Sequence, residues 1–222
     1  VIEDDAQAIG ANCKFSDGTK KKAGTIGHVG ATSFFPSKNL GCYGDGGAIF
    51  TNDDALAHKL RGIVNHGMYE RYHHDVVGVN SRLDSIQAAV LNAKLPLLDE
   101  YGRARQDAAR KYSATFEGHK NIVAPSICDI CDCHVFHQYT LRIIDADRNG
   151  LMQHLLDKGI PCAIYYPIPL HSQKAYADSR YKEEDFPVTN QLVTEVLSLP
   201  MHTELDDEQI KFITTSVLEY LG

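Results

Sequence analysis

The sequence predicts an α/β protein in two parts, residues 1–117 and 118–222. Over the first hundred residues, short apolar runs alternate with Gly-rich turns, the rhythm of a sheet with covering helices. Two helical patterns follow, and beyond 117–125 a strand–helix–strand order begins again, which reads as a smaller unit with a mixed sheet.

The elements follow in order. Residues 1–3, 31–35 and 47–50 read as strands. Residues 53–65 read as a helix, since Asn52 or Asp53 can cap it and Leu56, Leu60 and Ile63 recur at helical spacing. A longer helix over 83–98 is interrupted at Pro96 and continues into the charged 101–116 segment. In the second part, 135–144 and 161–166 read as strands, and 149–158, 188–197 and 208–221 as helices.

Composition narrows the function classes. Hydrophobic residues at 43% and charged residues at 23% describe a globular chain, not a disordered one. The net charge is −7, and the densest basic run, Lys20-Lys21-Lys22, lies in a Gly/Asp/Thr-rich stretch that reads as a solvated loop tip. No nucleic-acid partner is expected. No apolar run approaches the roughly 20 residues that span a bilayer, so no membrane partner is expected either. The start, Val1-Ile2-Glu3-Asp4, carries no Met and no basic leader, and it opens inside a strand that runs straight into a motif. An N-terminal segment is therefore expected to be missing from this sequence. The six cysteines include Cys128, Cys131 and Cys133 in a C-x-x-C-x-C run followed by His134 and His137. That spacing invites a zinc reading, but no second ligand pair follows, so the expectation is no metal and reduced thiols in a cytoplasmic protein.

The chemistry concentrates in two stretches. Lys38 lies between Ser33 and the Gly41–Gly47 turn, where glycines let the backbone pass close to a flat ligand. A lysine that forms a Schiff base needs such a short, rigid mount, shielded enough to lose its proton. Taken alone, a lysine so placed is more often structural or solvated. Asp4 follows a strand end, where a carboxylate can meet a protonated pyridine nitrogen. Asp4 also reads as a helix N-cap, and Asp5 is read as one.

Three blocks, VIEDDAQAIGA, TSFFPSKNLGCYGDGGAIFTND and NHGMYERYHHDVVGVNSRLDSIQAAVLNAKL, resemble the DegT/DnrJ/EryC1/StrS family of sugar aminotransferases. The resemblance covers essentially the whole chain. It implies the type I fold of pyridoxal 5'-phosphate (PLP)-dependent transferases, an α/β/α large domain with a small C-terminal α/β domain. On that basis, 1–117 is the C-terminal part of the large cofactor-binding domain and 118–222 the small domain.

The resemblance also implies roles for residues. Lys38 matches the Schiff-base lysine, Asp4 the carboxylate on the pyridine nitrogen, and Gln7 the residue beside the ring's phenolic oxygen. Ser33 matches a hydroxyl that binds the cofactor phosphate, and Asn80 the asparagine that a partner subunit lends to the same phosphate, which implies a homodimer with shared active sites. Arg82 matches a position that reaches the nucleotide-sugar in some relatives. Tyr165, Tyr166 and His171 fall in a segment resembling H-Y-P-x-P-L-H near the sugar. Tyr165 stands where many relatives have His, and both tyrosines also fit ordinary strand packing. The implied activity is amino transfer to a nucleotide-linked keto-sugar, with glutamate as donor, in surface polysaccharide or amino-sugar biosynthesis. Two alternatives stay open: a keto-sugar dehydratase, disfavoured because that branch has His in place of Lys38, and a non-catalytic PLP-binding regulatory domain.

Overall fold

Glycine-punctuated, half-apolar segments fold into short strands, and the computed structural model describes them with the rest of the chain, residues 1–222. In chain order the elements are β1 (Ile2–Asp4), β2 (Asn12–Lys14), β3 (Lys20–Lys22), β4 (Val29–Ser33), β5 (Gly47–Phe50), α1 (Asp54–Val64), β6 (Met68–Glu70), β7 (His73–His74) and α2 (Ser85–Lys94). There follow α3 (Leu98–Phe116), β8 (Ile122–Val123), β9 (Cys131–Cys133), β10 (Tyr139–Ile143), α4 (Arg148–Asp157), α5 (Pro187–Glu195), β11 (Val196–Leu199) and α6 (Asp207–Leu221). They group into two units, Val1–Arg103 with Ile127–His137, and Ala104–Ser126 with Gln138–Gly222. The sequence reading divides the chain at 117/118; here α3 runs from one unit into the other, and the Cys-rich segment returns to the first. No helix is long and apolar enough to cross a membrane.

In the first unit, β1 pairs parallel with β4, which pairs antiparallel with β5. A second sheet, β3-β2-β9, is antiparallel. Lys20–Lys22 is therefore a strand and not a loop tip. The Asp17-Gly18 pair makes the preceding turn: the Asp17 carboxylate accepts from the Thr19 N–H at 2.9 Å, and Gly18 takes a positive φ of 85°. All three lysines stay exposed, and Lys20 pairs with Asp132 at 2.8 Å.

Of the three carboxylates at the end of β1, Glu3 and Asp5 are two residues apart and share one face, while Asp4 between them takes the other. Glu3 accepts N–H bonds from Gly24 at 2.9 Å and from Ile26 and Gly27. Partial burial works against its ionised form, but the three donors outweigh that and hold it below the usual carboxylate range. Asp5 is 1% exposed, and neither carboxylate oxygen has a hydrogen-bond partner. The N-cap expected of Asp5 is thus absent. Burial, with the charges of Glu3 and Asp4 adding to it and Thr32 only partly offsetting, pushes Asp5 up to about 6.

The loop leaving β4 is closed at its base. The Phe34 N–H donates to Gly46 O and the Cys42 N–H to Phe34 O, both at 2.8 Å. Phe34, Leu40, Cys42 and Leu91 are buried together beneath it, with Ile9, Val90 and Leu98 packed against them. Gly41 crosses the loop so closely that a Cβ would lie 2.4 Å from Pro36 O.

The second unit packs helices on a three-stranded antiparallel sheet, β11-β10-β8. Tyr139, Leu141 and Ile143 alternate inward from β10. Leu151 and Leu155 of α4, and Ile210, Ile213 and Val217 of α6, supply helical stripes at i, i+3, i+4 and i+7 spacing. Tyr112 is fully buried and donates to Pro200 O at 3.0 Å. Three expectations change here. The sheet is antiparallel, not mixed. The helix expected over 188–197 stops at Glu195, because the apolar Val196–Leu199 run gains ladder bonds to β10 as a buried strand. Of the strand expected over 161–166, only Ala163 forms a bridge, to Ser198.

Asp5 gives the first prediction. A carboxylate raised from 3.8 to about 6 favours the folded state below its unfolded pKa, and that advantage is lost as pH rises through the folded value. Between about pH 4 and 6 stability should fall by on the order of 2 kcal/mol. Asp5→Asn should flatten that fall in denaturant titrations; an unchanged pH profile would contradict the assignment. Gly41 gives the second: Gly41→Ala should cost about 1–3 kcal/mol by overpacking. Amide exchange of the Lys38 N–H, which donates to Phe35 O at 2.8 Å, should quicken with it.

Candidate active site

The strand register builds the site. Asp4 is the partner of Ala31, and Ser33 lies two residues further along β4, so Asp4, Ala31 and Ser33 share one face. Gly47 and Ile49 join them from β5, opposite Ser33 and Ala31. Along this face Asp4, Ala31 and Gly47 are exposed and Ser33 is half-buried, while Gly30 and Thr32 on the opposite face are buried. The result is a shallow bed floored by small residues, with a carboxylate and a hydroxyl at the C-terminal ends of two parallel strands. Asp4 Oδ1 accepts from the Ala6 N–H at 3.1 Å, which holds the carboxylate at the turn where the exposed Gln7 lies.

Lys38 stands on the loop that leaves β4, half-buried, and no hydrogen bond or ion pair engages its amine. Its mount is rigid for reasons beyond the buried core. The next residue, Asn39, is buried; its amide donates to Val135 O at 2.9 Å, and its oxygen lies 2.9 Å from His137 Nδ1. The loop's far side is tied to α2: Gln87 Oε1 accepts from the Tyr43 N–H at 2.9 Å, and Lys94 Nζ donates to Gly41 O at 2.6 Å. The supporting roles of Asn39, His137 and Gln87 escape sequence reasoning because their partners lie 44 to 98 residues away.

The structure does not gather every expected residue into this bed. Asn80 and Arg82 form their own exposed cluster at the end of α1, where Arg82 Nε donates to Asn80 Oδ1 at 3.2 Å and Nη1 to Asn65 Oδ1 at 3.1 Å. Arg82 also lines an open cavity of about 1010 Å³ beside β5, together with Ala31, Gly47, Ile49 and Arg61; Asp4, Ser33 and Lys38 are not in its wall. Tyr165, Tyr166 and His171 belong to the second unit. Both tyrosines are exposed, with ring centroids 5.6 Å apart, and His171 stacks on Phe186 at 4.2 Å. Tyr165 and Tyr166 lie outside any strand, so strand packing does not account for them. As for metal, no group of three or more His, Cys, Asp or Glu is arranged to hold an ion.

A flat, phosphorylated pyridine aldehyde needs a carboxylate, a hydroxyl and an amine; Asp4 and Ser33 are such groups on the bed, Lys38 is one on the loop that follows, and Ala31 and Gly47 leave the face clear. Comparison with known proteins agrees with this chemistry. The chain is 45% identical over 222 residues to a "pleiotropic regulatory protein" of Geobacillus stearothermophilus, covering 99% of this chain and 58% of that protein. It is 46% identical over 217 residues to the UDP-2-acetamido-2-deoxy-3-oxo-D-glucuronate aminotransferase of Pseudomonas aeruginosa, covering 98% of this chain and 57% of the relative. The structure of DesV from S. venezuelae in complex with a ketimine intermediate superposes with a TM-score of 0.91 at 38% identity, over 99% of this chain and 57% of that one. The chain thus spans a little over half the length of the relatives it matches, and its α/β elements have the type I fold of PLP-dependent enzymes. The model of the DegT/DnrJ/EryC1/StrS aminotransferase family matches residues 1–218, and the chain belongs to that family.

Proposed function

We propose that this chain is the greater part of a cytoplasmic PLP-dependent aminotransferase that converts a nucleotide-linked keto-sugar to an amino sugar, with glutamate as amino donor. The observation that carries the proposal is the placement of Asp4 and Ser33 on one open face of β1 and β4, with Lys38 on the loop that follows. Relatives named for amino transfer to UDP- and dTDP-linked sugars support the substrate class.

Pyridoxal 5'-phosphate, when bound, supplies a carbonyl that exchanges amines and a conjugated ring that accepts an electron pair. The residues of this chain would do the rest. Lys38 Nζ would hold the aldehyde carbon and, once released, take the proton from the donor's Cα as general base. In the second half-reaction the same nitrogen would return a proton to the sugar carbon. Asp4 would keep the proton on the pyridine nitrogen, Gln7 would flank the ring at its phenolic oxygen, and Ser33 Oγ would donate to the phosphate. Asn80 is proposed to serve the phosphate of a second copy in a homodimer, and Arg82, Tyr165, Tyr166 and His171 to contact the sugar nucleotide. A regulatory reading has the name of the Geobacillus relative in its favour, and it requires cofactor binding without amine transfer.

Two experiments test the assignment. Borohydride reduction after incubation with PLP should fix the label on Lys38, and Lys38→Ala should lose both that label and turnover; an active Lys38→Ala variant would overturn the proposal. Asp4→Asn should lower turnover by orders of magnitude with melting unchanged. An N-cap role would instead cost about 0.5–2 kcal/mol of stability and spare turnover.

A further inference from the structure

Three of the six cysteines, Cys13, Cys131 and Cys133, meet on the β3-β2-β9 sheet, and Cys13 comes from far outside the C-x-x-C-x-C run. Register makes Cys13 of β2 the partner of Cys131 of β9, beside a shift in the ladder between Asn12 and Cys13. The Lys14 N–H donates to Ile130 O at 2.8 Å, flanking the pair in the pattern of a non-hydrogen-bonded site in an antiparallel ladder. At such sites the Cα atoms lie about 4.5 Å apart and the side chains share a face. That spacing falls inside the roughly 4.4–6.8 Å that a disulfide spans. Both thiols are free and partly exposed. Cys133 is instead the partner of Asn12, the residue before Cys13, across an irregularity in the ladder. Cys128 is exposed on the turn closed by the Cys131 N–H to Cys128 O bond at 2.9 Å. With no three-ligand metal arrangement present, two-thiol chemistry is what the cluster offers.

We propose that Cys13 and Cys131 are a redox-active pair, oxidised by hydroperoxides to a cross-strand disulfide that staples β9 to β2. One thiolate attacks a peroxide oxygen; the O–O bond breaks, water or an alcohol leaves, and a sulfenic acid remains. The partner thiolate attacks that sulfur, the S–O bond breaks, and hydroxide departs to become water. The thiols give up two electrons and two protons, and the hydroperoxide takes both. Burial, with Cys128, Cys13 and Cys133 nearby, pushes the Cys131 thiol up, so oxidation speeds as pH rises and the thiolate forms.

The staple joins the two segments that frame the Lys38 loop. One runs from Asp4 through the turn into β2; the other runs from β9 to Val135 and His137, which hold Asn39. The proposal stands apart from the catalytic assignment, since its readout is the bond itself. The protein as purified, reduced and desalted, is treated with hydrogen peroxide, alkylated and mapped by peptide mass spectrometry. The Cys13–Cys131 linked peptide should dominate. Cys13→Ser and Cys131→Ser should each abolish it, and Cys128→Ser should leave it. The oxidised parent should melt higher, and dithiothreitol should reverse the rise. A dominant Cys128–Cys131 link, or over-oxidation without any link, would overturn the proposal, and mapping the parent decides this even if a serine variant folds poorly.

Discussion

The parallel pairing of β1 with β4 is the constraint from which the rest of the first unit follows. Register places Asp4 opposite Ala31 and leaves Ser33 just beyond, so two polar groups emerge on one face at the same end of the sheet. A slip of one residue would turn Asp4 to the buried face and bring Glu3 or Asp5 to the open one. The loop that carries Lys38 begins where β4 ends, and its anchors, Phe34, Leu40 and Cys42, are buried beneath it. Carboxylate and hydroxyl thus emerge from two paired strands and the amine from the anchored loop that follows, which suits preorganised chemistry better than a loop hung from a single strand.

The same alternation that opens one face loads the other. Glu3 is satisfied by three backbone donors, whereas Asp5 is buried without any. A buried carboxylate without partners opposes folding when ionised, and here it lies next to the residue proposed to hold the cofactor's ring nitrogen. Three consecutive carboxylates therefore have three different situations: one held ionised by backbone donors, one open to a ligand, and one held partly protonated by burial. Burial and hydrogen bonding separate them, not residue type.

Support for Lys38 arrives from distant sequence. Asn39 reaches Val135 and His137, and the β9 strand that leads to them is itself held by β2. The end of the Cys-rich run, which by spacing alone suggests a zinc loop, is therefore a strand in the same unit as the lysine, and its Cys131 pairs with a cysteine that follows the Asp4 turn. Oxidation at that place would stiffen the frame of the loop without touching Asp4, Ser33 or Lys38.

The sequence by itself determined the family and the fold class and marked Lys38, Asp4 and Ser33 as candidates, because these depend on short motifs whose spacing is local. Helices α1, α3 and α6 were legible too, since capping and 3.6-residue periodicity are written within each segment. Only the tertiary structure decided that Val196–Leu199 is a strand, that Lys20–Lys22 pairs with β2, that Asp5 is buried, and that Cys13 faces Cys131. Each of these depends on pairing or burial against residues distant in sequence or across a turn. A short apolar run or a lone carboxylate carries no local mark of the partner it will meet.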